Sequence, residues 1–211
     1  MDFGLELEQV LPSDVPQRAQ LIAKAARHIE LITEANQRLN LTRILDPREA
    51  AIKHVLDSVI PWRRFSGVES VLDVGTGAGF PGIPLAIVLP GTRFVLAESI
   101  QKKARFVEAV AKRLDLANVR VEPCRAEELL QARRPEIIAA RAVAPIVKIL
   151  DLFAAAITAG STVLLYKGPD AESEIAQARD EAKRKKVRLK ILEQYELPSQ
   201  LGSRTLVEIS R

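Results

Sequence analysis

Two patterns of apolar positions divide the chain. Between Ser13 and Leu39 the apolar residues Leu21, Ile22, Ala25, Ile29, Ile32, Ala35 and Leu39 recur at helical spacing. This predicts an amphipathic helix with Pro16 in its first turn, where a missing N–H is tolerated. Asp46-Pro47-Arg48-Glu49 announces a second helix: Asp46 can cap it, Pro47 takes the first helical position, and Glu49 follows three residues after the cap. Pro61 bounds it. After Gly67 the period shortens, and β-branched runs predict strands at Ser70–Val74, Arg93–Glu98, Val119–Glu122, Ile137–Ala140, Thr162–Tyr166, Val187–Tyr195 and Thr205–Ile209. Helical stretches between them fall at Ile83–Leu89, Gln101–Leu114, Ala126–Gln131, Pro145–Ala156 and Ala171–Lys185.

Strands alternating with helices imply a parallel sheet with crossover connections. Residues Glu196–Arg204 are too few for a crossover, so the last strand is expected to return antiparallel beside its predecessor. The expected organisation is a helical subdomain over residues 1–66 and an α/β domain over residues 67–211, with a mostly parallel seven-stranded sheet whose final strand is antiparallel. A length of 211 residues, with 47% hydrophobic and 27% charged residues, suits one full domain with an addition and argues against disorder. No stretch approaches the roughly 18 apolar residues of a membrane span. The acids Asp2, Glu6 and Glu8 stand where a secretory signal carries basic residues, and the single Cys124 forms no internal disulfide, so a cytoplasmic protein is expected. The net charge of +4 permits a polyanionic partner without requiring one.

The densest chemical signal is Asp73-Val74-Gly75-Thr76-Gly77-Ala78-Gly79-Phe80-Pro81-Gly82, in which an apolar strand enters a glycine turn and then a helix. Alternate glycines allow positive φ and close approach of a ligand to the backbone. Gly77-x-Gly79-x-x-Gly82 matches the dinucleotide pattern, with Glu98 near the distance of a ribose-binding acid, so a nicotinamide reading must be weighed. Three features oppose it. Asp73, two residues before Gly75, would attract an ammonium group and repel a diphosphate. Pro81 and Pro84 remove N–H groups that a phosphate would use. The hairpin ending departs from two paired βαβαβ halves. Together these favour S-adenosylmethionine over NAD.

Asn40-Leu41-Thr42, Lys53-His54-Val55-Leu56-Asp57-Ser58, the turn with its trailing Pro81-Gly82-Ile83-Pro84-Leu85, Ala139-Ala140-Arg141-Ala142 and Lys167-Gly168 follow one another as in a known family. The chain resembles the bacterial small-subunit ribosomal RNA guanine-N7 methyltransferases, also called glucose-inhibited division protein B. Lys53 stands where that family often has arginine, and Glu98 where it often has aspartate. The resemblance implies a class I methyltransferase fold (Rossmann-like) with an N-terminal helical extension. It implies S-adenosylmethionine as methyl donor and one guanine of 16S rRNA as acceptor, in the small ribosomal subunit or an assembly intermediate. Carried over to this sequence, Gly75 and Phe80 would touch the methionine and ribose side, Ala126 and Glu127 the adenine, and Arg141 the methionine or the target; Asp73, Gly77 and Gly79 of the same turn are expected to bind the cofactor as well. Glu98, at the end of the second strand, is assigned to the ribose hydroxyls on physical grounds: a carboxylate accepts two hydroxyls.

Guanine N7 carries a lone pair and no proton, so its methylation needs positioning and no general base. Arg141 and Lys167 end the fourth and fifth strands, and one of them is expected to donate to guanine O6, which excludes adenine. Cys124 follows the third strand in Glu122-Pro123-Cys124 and is read as a packed thiol. Phe80, Trp62 and Tyr166 either pack in the core or stack on a base. His54 and Asp57 share a helix face and would anchor the helix or touch substrate, whereas His28 is read as a surface or boundary histidine. Two histidines and one cysteine, widely spaced, suggest no metal. RNA-facing candidates are Arg38, Arg43, Arg48, Arg63 and Arg64, then Lys102, Lys103, Arg105, Arg133 and Arg134; a monomer is expected. The rival readings are a methyltransferase for a small molecule or protein, an NAD-dependent oxidoreductase, and a non-catalytic S-adenosylmethionine-binding module.

Overall fold

The computed structural model describes residues 2–211. Its centre is one seven-stranded sheet in the order β3-β2-β1-β4-β5-β7-β6. The strands are β1 (Ser70–Val74), β2 (Arg93–Ala97), β3 (Val119–Glu122), β4 (Ile137–Arg141), β5 (Thr162–Lys167), β6 (Arg188–Glu196) and β7 (Ser203–Ser210). The first five are parallel, and β7 runs antiparallel to both β5 and β6. The short link after Glu196 dictates the hairpin, and burial dictates its order. Leu206, Val207 and Ile209 of β7 are buried, so β7 lies inside the sheet, while β6 alternates exposed and half-buried residues and takes the edge.

Neighbouring residues on the central strands serve opposite faces. Val71, Phe94, Leu96, Ile137, Ala139 and Leu164 join one hydrophobic cluster, and Leu72, Ala97, Ile138, Ala140, Val163 and Leu165 join another. The second face is covered by α8 (Ile146–Thr158) and α9 (Ala171–Lys185), with α7 (Ala126–Ala132) beside them. The first face is covered by α5 (Gly82–Val88) and α6 (Gln101–Arg113), together with the helices that precede β1. Those are α1 (Phe3–Val10) and α2 (Arg18–Leu39), then α3 (Pro47–Ala50), a π turn at Ala51–Leu56 and α4 (Asp57–Val59). Phe3, Leu7, Leu21, Ile32, Ile52 and Phe65 lie in the same cluster as the sheet residues, so the N-terminal helices and this face share a core.

Local chemistry sets the boundaries. Asp2 caps α1, its carboxylate accepting from the Leu5 N–H at 3.1 Å, and Asp46 caps α3 through the Glu49 N–H at 2.9 Å. The second cap is the expected one. α1 is not anticipated by the sequence pattern, and α2 starts at Arg18 instead of Ser13. Gln17 adopts a left-handed conformation (φ 53°), which keeps Pro16 outside the helix. Among the described residues no helix is long and apolar enough to cross a membrane.

Gly82 sits where α5 crosses the end of β1. A Cβ added there would lie 2.3 Å from Leu96 Cδ2 and 2.7 Å from the Asp73 carboxylate. Gly82→Ala is therefore expected to cost roughly 1–3 kcal/mol and lower Tm by roughly 2–12 °C. Gly91→Ala, where the added carbon meets nothing within 4 Å, is expected to leave Tm unchanged in the same thermal melts.

Candidate cofactor and substrate site

The glycine turn is folded around the Asp73 side chain. Oδ2 accepts from Thr76 Oγ1 at 2.6 Å and from the Gly82 N–H at 2.9 Å, closing a loop between the end of β1 and the start of α5. Oδ1 is buried without a partner, and burial raises the carboxyl to a pKa of about 6, the two hydrogen bonds opposing the rise. Gly75, Gly77 and Gly79 have φ of 62°, 61° and 102°, the left-handed region that disfavours side chains. A Cβ on Gly77 would touch only the Gly75 carbonyl, at 3.9 Å, so the crest of the turn is open to a ligand.

Glu98 extends from the end of β2 beneath this crest. Its Oε2 accepts from the Gly77 N–H at 3.1 Å and its Oε1 from the Ile100 N–H at 2.8 Å. The carboxylate thus first braces the turn, and each oxygen keeps a second lone pair for a hydroxyl. The N–H groups at the start of α5 are spent inside the protein. That of Gly82 goes to Asp73, that of Ile83 to the Gly79 carbonyl at 2.8 Å, and Pro84 has none. No anion-binding helix terminus is left for a pyrophosphate.

Phe80 lies under the turn against two imidazoles. His28 stacks on it at 4.6 Å between centroids and His54 at 4.7 Å, with the Arg141 guanidinium over the ring 5.6 Å from its centre. Phe80 is buried and its ring is occupied by these three groups, so it packs in the core. Tyr166 is buried as well, donating to the Ser58 carbonyl at 2.9 Å. Trp62 sits by the segment leading into β1, in a cleft with Pro16, Gly67 and Pro90, and carries Arg63 over its ring at 4.5 Å. His28 is no surface residue: it is fully buried, with Nε2 2.7 Å from the Ala78 carbonyl. It continues the buried stripe Leu21, Ala25, Ile32 of α2, so the helical period carried the correct signal. Burial holds His28 at a pKa of about 4, against the Ala78 hydrogen bond. Burial, then the charges of Arg141, His28 and Lys53, hold His54 at about 3.

Beside the turn, the ends of β4 and β5 and the π turn enclose a cavity of about 380 Å³ lined by Lys53, His54, Asp57, Arg141, Lys167 and Arg204. Arg141 Nη1 donates to the Lys53 carbonyl and to Asp57 Oδ2, both at 3.1 Å. Lys167 Nζ donates to the Ala144 carbonyl at 2.9 Å and to Glu174 at 2.7 Å. Arg204 on β7 was not singled out by the sequence pattern, which left it at the end of the link Glu196–Arg204, where one arginine carries no local signal. Ala126 is buried and Glu127 half-buried at the start of α7, directly after β3, which pairs with β2 below Glu98. They therefore lie on the same carboxyl edge of the sheet. Cys124 is half-buried, and desolvation followed by Glu128 and Glu122 raises its thiol pKa, the opposite of an activated nucleophile. A groove of about 400 Å³ at Ser70, Arg93, Asn118 and Arg134 lies at the amino ends of the strands, away from the turn.

This sheet order with a glycine turn at the carboxyl end of β1 defines the class I methyltransferase fold. An O-methyltransferase from Bacillus cereus, solved in complex with SAH, superposes with a TM-score of 0.60 at 17% identity, covering 88% of this chain and 91% of that one. The chain belongs to the rRNA small subunit methyltransferase G (GidB) family, whose model matches residues 21–202. It is 61% identical to the ribosomal RNA small subunit methyltransferase G of Solibacter usitatus, covering 99% of this chain and 100% of the relative. With that of Carboxydothermus hydrogenoformans it shares 36% identity over 98% of this chain and 86% of the relative. The nicotinamide reading is not favoured by this membership.

The two stacked imidazoles make stability depend on pH. In the unfolded chain each takes a proton near pH 6.5, whereas in the folded state this waits until about 4 for His28 and about 3 for His54. Stability is thus full above pH 6.5 and is lost on acidification, at about 1.4 kcal/mol per pH unit for each imidazole. Asp73 acts oppositely between about 6 and 3.8, because the folded state then keeps a proton that the unfolded chain has released, and it offsets one imidazole there. Thermal melts are expected to show a Tm that is flat above about pH 7 and falls between about pH 6.5 and 5. A constant Tm over that interval would contradict the buried, neutral histidines.

Proposed function

We propose that this chain methylates N7 of one guanine in 16S rRNA, using S-adenosylmethionine, as a cytoplasmic monomer acting on the small subunit or its assembly intermediate. The observation that carries the reading is the Asp73-clasped turn opening beside a cation-lined cavity within this family's fold. The residues present fit the cofactor's charge. Asp73 Oδ1 is sealed from solvent, so Asp73 acts through its field: a carboxylate under the turn favours a cationic ligand above it and disfavours a diphosphate. Gly75, Gly77 and Gly79 would line the methionine and ribose side, Glu98 the ribose hydroxyls, and Ala126 and Glu127 the adenine. Phe80 supports them from below. When bound, S-adenosylmethionine supplies an electrophilic methyl group on a sulfonium sulfur.

The chain's own contribution is alignment, since in-line transfer needs reacting atoms about 3 Å apart and collinear. No residue has to remove a proton from guanine N7, which agrees with a His54 held neutral and engaged with Thr42 Oγ1 at 2.9 Å. Arg141 commits one nitrogen, Nη1, to the protein and keeps Nη2 and Nε for the substrate, whereas Lys167 is already tied to two acceptors. Arg141 is therefore the donor to guanine O6, and adenine, with a donor at that position, is rejected. Lys167 adds positive charge at the cavity wall.

The test is transfer of labelled methyl from S-adenosylmethionine to 16S rRNA lacking this modification, naked and in assembled particles, with the product nucleoside identified by mass. Label is expected as 7-methylguanosine, falling steeply as salt rises because phosphate contacts release counterions. Arg141→Ala is expected to lower kcat by ~100-fold with the nucleoside product unchanged. Label at another position, a flat salt response, or full activity in Arg141→Ala would each contradict the corresponding part of the reading.

A further inference from the structure

The Asp57 carboxylate is 1% exposed yet receives donors from three strands. Its Oδ2 is shared by Arg141 Nη1 of β4 at 3.1 Å and Arg204 Nε of β7 at 3.3 Å, and its Oδ1 accepts from the Tyr195 hydroxyl of β6 at 3.1 Å. We propose that Asp57 is a positioning residue for the methyl transfer: it clamps the two guanidinium groups side by side and fixes the orientation in which Arg141 meets the target base. The inference rests on the methyltransferase reading above.

Two guanidinium groups repel each other, and a carboxylate between them makes their approach tolerable while leaving one net positive charge toward the cavity. The clamp has a second jaw in the backbone. In the π turn the Asp57 N–H bonds to the Ile52 carbonyl, five residues back, in place of the Lys53 carbonyl that an α-helix would use. The Lys53 carbonyl then accepts Arg141 Nη1, so this nitrogen is held at two points. Arg204 is fixed similarly, with Nε on Asp57 and Nη1 on the Ser203 carbonyl at 2.8 Å. Both arginines line the cavity, so their remaining N–H groups are presented there in a fixed array. A buried ion cluster is poor value for stability alone, because apolar residues of the same volume would serve as well. Orientation is what an apolar replacement could not supply.

The experiment is a double-mutant cycle in the methyl-transfer assay, with S-adenosylmethionine affinity and Tm measured on every variant. Asp57→Asn is expected to bind S-adenosylmethionine within ~3-fold of wild type while kcat falls ~10–100-fold. Combined with Arg141→Ala it is expected to be no more than ~3-fold slower than Arg141→Ala alone, since Arg141, the group whose orientation toward the target base the clamp sets, is then absent and of the two guanidinium groups only Arg204 remains on Asp57. Loss factors that multiply, or a kcat for Asp57→Asn within ~2-fold of wild type, overturn the proposal. If Asp57→Asn fails to fold, Tyr195→Phe removes one donor and keeps the charges; it is expected to lower kcat ~3–10-fold with cofactor affinity unchanged, and an unaltered kcat overturns the proposal. Absence of transfer by the wild-type protein would instead defeat the functional reading itself, and this inference with it.

Discussion

The Asp73 carboxylate is the constraint on which the site depends. Placed at the end of β1 and removed from solvent, it must find donors, and the nearest are the Thr76 hydroxyl and the N–H of Gly82. Meeting them bends residues 75–81 into a turn that passes repeatedly through positive φ, which is why glycine recurs at alternate positions. The same closure brings α5 so near β1 that only glycine fits at position 82, and it consumes the N–H groups with which a helix start would otherwise hold phosphate. Ligand preference and fold are thus set together: the turn offers an open crest and a negative field, which suits a sulfonium and ammonium and not a pyrophosphate.

The N-terminal helices are part of this machinery through packing. His28 of α2 and His54 of the π turn stack on Phe80, and Asn36 orders the loop at residues 40–42, its side chain accepting from the Leu41 and Thr42 N–H groups and donating to the Thr42 carbonyl. Thr42 in turn meets His54. Lys53 and Asp57 receive Arg141. A substitution before residue 65 can therefore disturb the cavity and the Phe80 stack without touching the sheet.

Much of this was legible from residue order. The β-branched runs mark all seven strands to within a few residues: β1, β4 and β5, buried on both faces, are apolar along most of their length, and the edge strands β3 and β6 show instead an alternation of apolar and polar residues. The Asp46 cap and the glycine turn are read from local chemistry, and the family resemblance carries through to the chain's membership. Less legible were features that exist only through tertiary contact. α1 buries little beyond Phe3 and Leu7, too short a stripe for periodicity to register. The π turn leaves no mark on the sequence, since Lys53 and Asp57 share a face in either helix type. β7 lies inside β6 because of which strand is better buried, and chain order does not say so. Arg204 joins the cavity only through that placement. His28 was misjudged from its residue type, although its position in the stripe of α2 was correct evidence of burial.

The central claim, that the Asp73-clasped turn is a seat for S-adenosylmethionine, is tested most directly by ligand-induced thermal stabilisation of the wild-type protein and of Asp73→Asn. S-adenosylmethionine is expected to raise the wild-type Tm in a concentration-dependent way, NAD is expected to leave it unchanged, and the Asp73→Asn protein is expected to lose most of the shift. Stabilisation by NAD, or an undiminished S-adenosylmethionine shift in Asp73→Asn, would contradict the account.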